Sequence, residues 1–221
     1  MTKAVGLDRV ILTMGSGFGD LDNDGWLDCY FGTGAPEYET LLPNRMFRND
    51  AGKRFQDVTV SGGFGQLRKG HAVSFADFDR DGDQDVFEVL GGAYPGDGYF
   101  SVLLANPGHG REWMGLKLTG TKSNRGAIGA RVRVELSDSR VVHRVVQPGS
   151  SFGDAPLEVH LGLASAKQAL RVEIRWPSGD VQTLGPLAAG RVYGVTEGLA
   201  AATPIELRKF AFTKPGAHTG H

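Results

Sequence analysis

Short apolar runs bounded by Gly, Pro, Asn and Asp recur along this chain, and they predict β-strands joined by turns. The cleanest alternation is ARVRVEL. Val132, Val134 and Leu136 face one way and Arg131, Arg133 and Glu135 the other, the period of a half-buried strand. The stretch 110–198 holds six strand-like runs: WMGLKLTG, GARVRVEL, RVVHRVVQ, LEVHLGL, LRVEIRW and RVYGVTEG. Strands at that spacing predict a sandwich. LASAKQA has room for one helical turn, and PIELRKFAF adds a further strand. In the first half, NRMFRND and KRFQDVTV flank the turn NDAGK as a hairpin. SGGFGQLRKG is a Gly-rich connector, and residues 95–112 form a β-rich bridge ending in a Pro/Gly loop. The expected fold is all-β, with a boundary near residues 108–110, a first region over 1–109, a second over 110–198 and a tail over 199–221.

Between these strands lie two acidic stretches in one register, FGDLDNDGWLD over 18–28 and FADFDRDGDQD over 75–85. The first supplies Asp20, Asp22, Asp24 and Asp28. The second supplies Asp77, Asp79, Asp81 and Asp85, with Asp83 as an extra carboxylate. Two unit charges about 4 Å apart repel by about 1 kcal/mol in water and about 4 at an effective dielectric of about 20. A fold that gathers these carboxylates needs a cation among them. An all-oxygen cage with flexible ligands suits calcium better than magnesium. The side chains at positions one, three, five and nine are the candidate ligands, with the backbone carbonyls of Trp26 and Asp83 at position seven. Gly25 and Gly82 at position six fit a sharp turn that a Cβ would obstruct. The second copy also meets the EF-hand formula, with Glu88 at its twelfth position. Its flanks, HAVSFADF and DVFEVLGGAYPG, read as strand rather than helix, so the expectation is a calcium loop between two β-strands. From Asp20 to Asp77 is 57 residues. A period of that length, holding several short strands, is that of a propeller blade or a similar repeat.

Composition narrows the classes further. Gly is 33 of 221 residues, about twice the usual share and in keeping with many turns. No apolar run reaches about 18 residues, so no helix spans a membrane, and no signal peptide is visible. The single cysteine, Cys29, excludes an intrachain disulfide and reads as a packed thiol. The six histidines show no zinc-ligand spacing. Net charge is −1, but residues 1–110 carry 9 Lys and Arg against 16 Asp and Glu, and residues 111–221 carry 15 against 9. The basic half has no dense Lys/Arg run with interleaved aromatics, which argues against nucleic-acid binding.

F-x-D-x-D-x-D-G-x-x-D, followed by a strand and by NRMFRNDAGKRFQDVT, resembles the FG-GAP/VCBS repeats of calcium-binding β-propellers. The resemblance places repeats at about 11–60 and 68–107 and implies calcium at the Asp positions of both. LKLTGTKSNRGAIGARVRV, PGSSFGDAP, LEVHLGLASA and VEIRWPSGDVQTL resemble the ASPIC/UnbV domain over about 112–198. The combination is similar to cartilage acidic protein and its bacterial relatives, which implies an extracellular or periplasmic location. A propeller typically has four to eight blades. Two repeats therefore imply a partial propeller, a C-terminal fragment of a longer protein or one completed by partners, and an exposed edge strand implies self-association.

Other candidate chemistry is thin. Residues 149–153 fit G-x-S-x-G, with Asp154 and His160 following Ser151, but the nucleophile elbow needs a helix after the Ser and Pro156 intervenes. Arg125 offers a contact to a carboxylate or sugar, or else to turn carbonyls. Trp26, Trp113 and Trp176 read as packing residues. The expected function is a non-catalytic, calcium-binding extracellular scaffold or adhesion module for a protein or carbohydrate ligand. The alternative is a calcium-dependent polysaccharide hydrolase or lyase. No acid and base carboxylate pair outside the metal loops supports it.

Overall fold

The computed structural model describes residues 2–37, 39–149 and 152–212. Sixteen strands and no helix occur among them, so the chain is all-β. None of the sheets closes into a barrel. No helix among the described residues is long and apolar enough to cross a membrane.

In the first half, β1 (Thr13–Gly19), β2 (Asp28–Thr33), β3 (Arg45–Asp50) and β4 (Arg54–Asp57) form an antiparallel sheet in chain order. The NDAGK hairpin closes between β3 and β4, with Ala51 and Gly52 in left-handed backbone. A second antiparallel sheet joins β5 (Gly70–Ala76), β6 (Asp85–Leu90) and β7 (Val102–Leu104). Strand β1 packs on β5, and the glycines of TMGSGFG make this approach possible. A Cβ at Gly15 would lie 1.4 Å from the His71 carbonyl oxygen, and one at Gly19 would lie 2.1 Å from the Phe75 ring. Tyr30, Met46, Val73, Phe75 and Val86 form the small buried core of this half.

The second half opens with β8 (Glu112–Thr119), β9 (Arg131–Leu136), β10 (Val141–Val145), β11 (Val159–Ala164) and β12 (Gln168–Arg175). It ends with β13 (Val181–Leu184), β14 (Leu187–Ala188), β15 (Arg191–Thr196) and β16 (Ala202–Ile205). One sheet runs β10-β9-β12-β13, with β14 also on β12; the other runs β11-β8-β15-β16. Among the described residues, β8 and β15 are the one pair of strands that run parallel. Both sheets contribute to one large core that includes Leu116, Leu161, Val134, Ile174 and Trp176. Val132, Val134 and Leu136 are all buried in it, as the alternation of ARVRVEL predicts. Each such side chain contributes about 1.5–3 kcal/mol by leaving water.

Three details differ from the sequence reading. LASAKQA is a tight turn and not helical: Ala164 is left-handed, Ala166 N donates to the Leu163 carbonyl, and β12 starts at Gln168. The strand expected from PIELRKFAF lies earlier, at Ala202–Ile205, where Pro204 is tolerated because β16 is an edge. Strands β13 and β14 are too short to announce themselves by alternation.

Candidate metal centre

Both acidic stretches are the turns between paired antiparallel strands. Gly19 pairs with Asp28, and Ala76 with Asp85, so residues 20–27 and 77–84 leave their sheets at matching points. Each loop is then folded by its own first Asp. Asp20 accepts from Asp24 N at 2.9 Å and Gly25 N at 2.9 Å. Asp77 accepts from Asp81 N at 3.0 Å and Gly82 N at 3.1 Å. The fifth-position Asp does the same further along, Asp24 with Trp26 N and Asp81 with Asp83 N. Gly25 and Gly82 have φ of 96° and 105°, the left-handed backbone that a side chain resists.

This folding gathers Asp20, Asp22 and Asp24 so that one oxygen from each lies within 4.8 Å of the others, and Asp77, Asp79 and Asp81 do likewise. The ninth-position residues are not in these groups. Asp28 spends one oxygen on Leu21 N (2.9 Å) and the other on Asn49 N (2.8 Å). Asp85 repeats this with Phe78 N (3.1 Å) and Asn106 N (2.8 Å). Both therefore brace the loop from behind. Asn49 and Asn106 escaped the sequence reading, although they stand 57 residues apart, like Asp20 and Asp77. Each also turns its amide to a loop carbonyl, Leu27 O or Gln84 O.

The third position carries the clearest sign of a missing partner. Asp22 Oδ1 and Asp79 Oδ1 are buried and accept no hydrogen bond, and Asp22 as a whole is 5% exposed. A buried carboxylate oxygen without a partner is costly. Burial pushes Asp20 and Asp77 up to about 6 and Asp28 up to about 7. A bound cation would favour the charged forms and reverse these shifts. A dense all-carboxylate donor set of this kind fits a hard divalent ion.

Residues 20–88 match the model of the FG-GAP-like repeat, and residues 120–202 match that of ASPIC and UnbV. The chain joins an FG-GAP-like repeat region to an ASPIC/UnbV domain. No curated protein matches it.

The ASPIC/UnbV domain rests directly on the first FG-GAP loop. Arg144 pairs with Asp20 at 2.9 Å and donates to Gly25 O. Arg111 pairs with Asp22 at 2.9 Å, and Arg140 donates to Asp24 O. The uneven charge of the two halves thus becomes a complementary junction. The second loop differs: among the described residues no Lys or Arg side chain pairs with Asp77, Asp79 or Asp81. Its Asp81 and Asp79 carbonyls receive Lys209 Nζ and Phe210 N, and its Arg80 pairs with Glu158 of the second half at 3.2 Å. His160 stacks on Trp113 with ring centroids 6.0 Å apart and donates from Nε2 to Asn23 Oδ1 at 2.7 Å. Burial and then Arg144 hold it down at about 3, so it is neutral.

The remaining candidates separate cleanly. Glu88, the EF-hand position, sits in β6 away from the loop, fully buried, and accepts from Tyr30 Oη and Asn44 Nδ2. Asp83 turns its side chain to Asn23. Trp26 is 44% exposed and its ring lies against Gly52. Cys29 is buried and its thiol is pushed up to about 12 by burial, which makes it inert at neutral pH. Trp176 is a core residue. Arg125 is exposed. Ser150 and Ser151 of the G-x-S-x-G stretch lie outside the described residues.

Sequence reading missed one organising residue of the ASPIC/UnbV domain. The Glu197 carboxylate accepts from Thr121 N, Lys122 N and Ser123 N, and from the hydroxyls of Ser123 and Ser178. Burial alone would raise this carboxyl; the donors outweigh it and hold it at about 2. Glu197 therefore shapes both the TKSNRG loop and the PSG turn.

Proposed function

We propose that this chain is a non-catalytic, calcium-binding module of the extracellular type, which presents its loops and sheet edges to a protein or carbohydrate ligand. In this reading the two N-terminal sheets are blades of a partial β-propeller. The supporting observation is the repeated cage: three carboxylates within reach of one ion in each loop, with an unpartnered Asp22 Oδ1 or Asp79 Oδ1 in each. Asp20, Asp22 and Asp24 would hold one ion and Asp77, Asp79 and Asp81 the other, with backbone carbonyls at Trp26 and Asp83 as further ligands. Calcium would supply charge neutralisation and rigidity, not reactivity. Asp28 and Asp85 hold the loop backbones in place. FG-GAP repeats are typical of extracellular proteins, where calcium is millimolar.

Thermal melts in EDTA, then calcium, then magnesium test this. Binding to the folded state alone stabilises by RT ln(1 + [L]/Kd), about 2.7 kcal/mol at about a hundred times Kd. A clear rise with calcium and little with magnesium is expected. Identical melts in EDTA and millimolar calcium would overturn the reading.

A further inference from the structure

The two loops are not independent. Asn23, at the fourth position of the first loop, is fully buried, and its Nδ2 donates to Gly82 O at 3.1 Å and to Asp83 Oδ1 at 2.9 Å in the second. The reverse link runs from the second loop to the first: Gln84 Oε1 accepts from Asp20 N at 2.8 Å. Asn106 spans both, donating to Leu21 O at 2.7 Å and Gln84 O at 3.0 Å while its own N–H braces Asp85. Every link ends on a backbone atom or a carboxylate of a loop position, so neither loop changes shape without moving the other. The ASPIC/UnbV domain closes the block. Ala164 N donates to Asn23 O, and the Trp113 ring lies where a Gly82 side chain would be, with a Cβ there only 1.8 Å from Nε1.

From this cross-linking we propose that the two loops bind calcium cooperatively, with Asn23, Gln84 and Asn106 as the positioning residues that carry the coupling. The proposal rests on the calcium reading above. Ordering residues 20–28 fixes Asn23, which fixes Gly82 and Asp83 at the positions that complete the second cage. Ordering the second loop fixes Gln84 and through it Asp20. The ordering cost is thus met largely by the first ion and the second binds more tightly. Coupling is reciprocal, and its usual range is about 5–150-fold in affinity.

The test is calorimetric and terbium-luminescence measurement of ion binding to the full chain. The wild type should take up two ions with a Hill coefficient clearly above one. Asp79→Asn, which weakens the second loop, should lower affinity at the first by at least about 5-fold, and Asp22→Asn should do the same in reverse. Gln84→Ala and Asn106→Ala should each keep two ions and lower the Hill coefficient toward one, and the double variant should lower it further. The single-loop variants keep the test open if either alanine variant fails to fold. Two ions bound with a Hill coefficient of one, and single-loop variants that leave the other site's affinity unchanged, would overturn the coupling and leave the calcium reading standing. No ion bound at all would overturn both.

Discussion

Gly162→Ala puts the junction between the FG-GAP region and the ASPIC/UnbV domain under direct strain. Gly162 lies in β11, and a Cβ there would lie 2.3 Å from Asp20 Oδ2 and 2.5 Å from the Asn23 carbonyl carbon. Two of the three nearest atoms belong to the Asn23 backbone, which no rotamer change can move aside. Overpacking of this kind costs about 1–3 kcal/mol. Relief requires the strand to withdraw, which releases the hydrogen bond from Gly162 N to Asp20 at 3.2 Å. A hydrogen bond to a charged group contributes about 1.5–3 kcal/mol. The unfolded chain gains about 0.4–1 kcal/mol of order from the added methyl, which offsets part of this. The net loss is roughly 2–5 kcal/mol, a fall in Tm of roughly 5–20 °C at about 2–4 °C per kcal/mol for a chain of this size. Gly98→Ala is the control, because nothing lies within 4 Å of its Cβ and its backbone is ordinary. Scanning calorimetry of both variants in EDTA reads the effect. The control should move by about 1 kcal/mol or less. A Gly162→Ala melt within about 2 °C of wild type would show that the halves do not touch at Asp20 and Asn23, and the reasoning fails.

Three more outcomes follow from the same contacts. Arg144→Met leaves the fully buried Asp20 without its guanidinium, and urea unfolding should show a loss of about 3–5 kcal/mol. Glu88 is raised from 4.5 to about 7 by burial, so its ionised form is penalised in the folded state above that pH and the penalty fades as pH falls toward 4.5. Glu88→Gln should therefore be neutral or stabilising at pH 8 and close to wild type at pH 5; a marked loss at pH 8 would refute the sign. Glu197 is lowered from 4.5 to about 2, so its contribution is complete above 4.5 and is lost as pH falls through about 2. Acid melts of Glu197→Gln should start from a lower Tm and fall less steeply across that window.

What the sequence made legible was spacing. The Asp repeats mark where each chain segment leaves its sheet, because a loop between paired strands must begin and end at facing residues. The alternation in ARVRVEL marks a buried face, because a strand has only two faces. The sequence did not reveal which carboxylates do which job. Asp28 carries the same side chain as Asp20, yet Asp20 accepts from Asp24 N and Gly25 N within the loop, whereas Asp28 accepts from Leu21 N and from Asn49 N on β3. The bond from Asn49 joins residues 21 apart in the chain, and nothing in the loop's own pattern announces it. Glu197 was invisible for a related reason. Its donors lie at 121–123 and 178, and nothing local distinguishes it from a solvated Glu. The cross-links of Asn23 and Gln84 join residues about sixty apart in the chain, and no pattern within either loop announces them.

The parallel pairing of β8 with β15 has a consequence for synthesis. Strand β8 ends at Thr119, and its parallel partner begins at Arg191. At about 5–20 residues per second, the ribosome needs roughly 4–15 s to make the intervening segment. Strand β11 arrives sooner and covers one side of β8, but the other edge waits with unpaired backbone beside buried-type residues such as Met114 and Leu116. A chain stalled or cut before residue 191 carries that open edge permanently, and such edges recruit other strands. Strand β15 is therefore what closes that edge in each newly made copy.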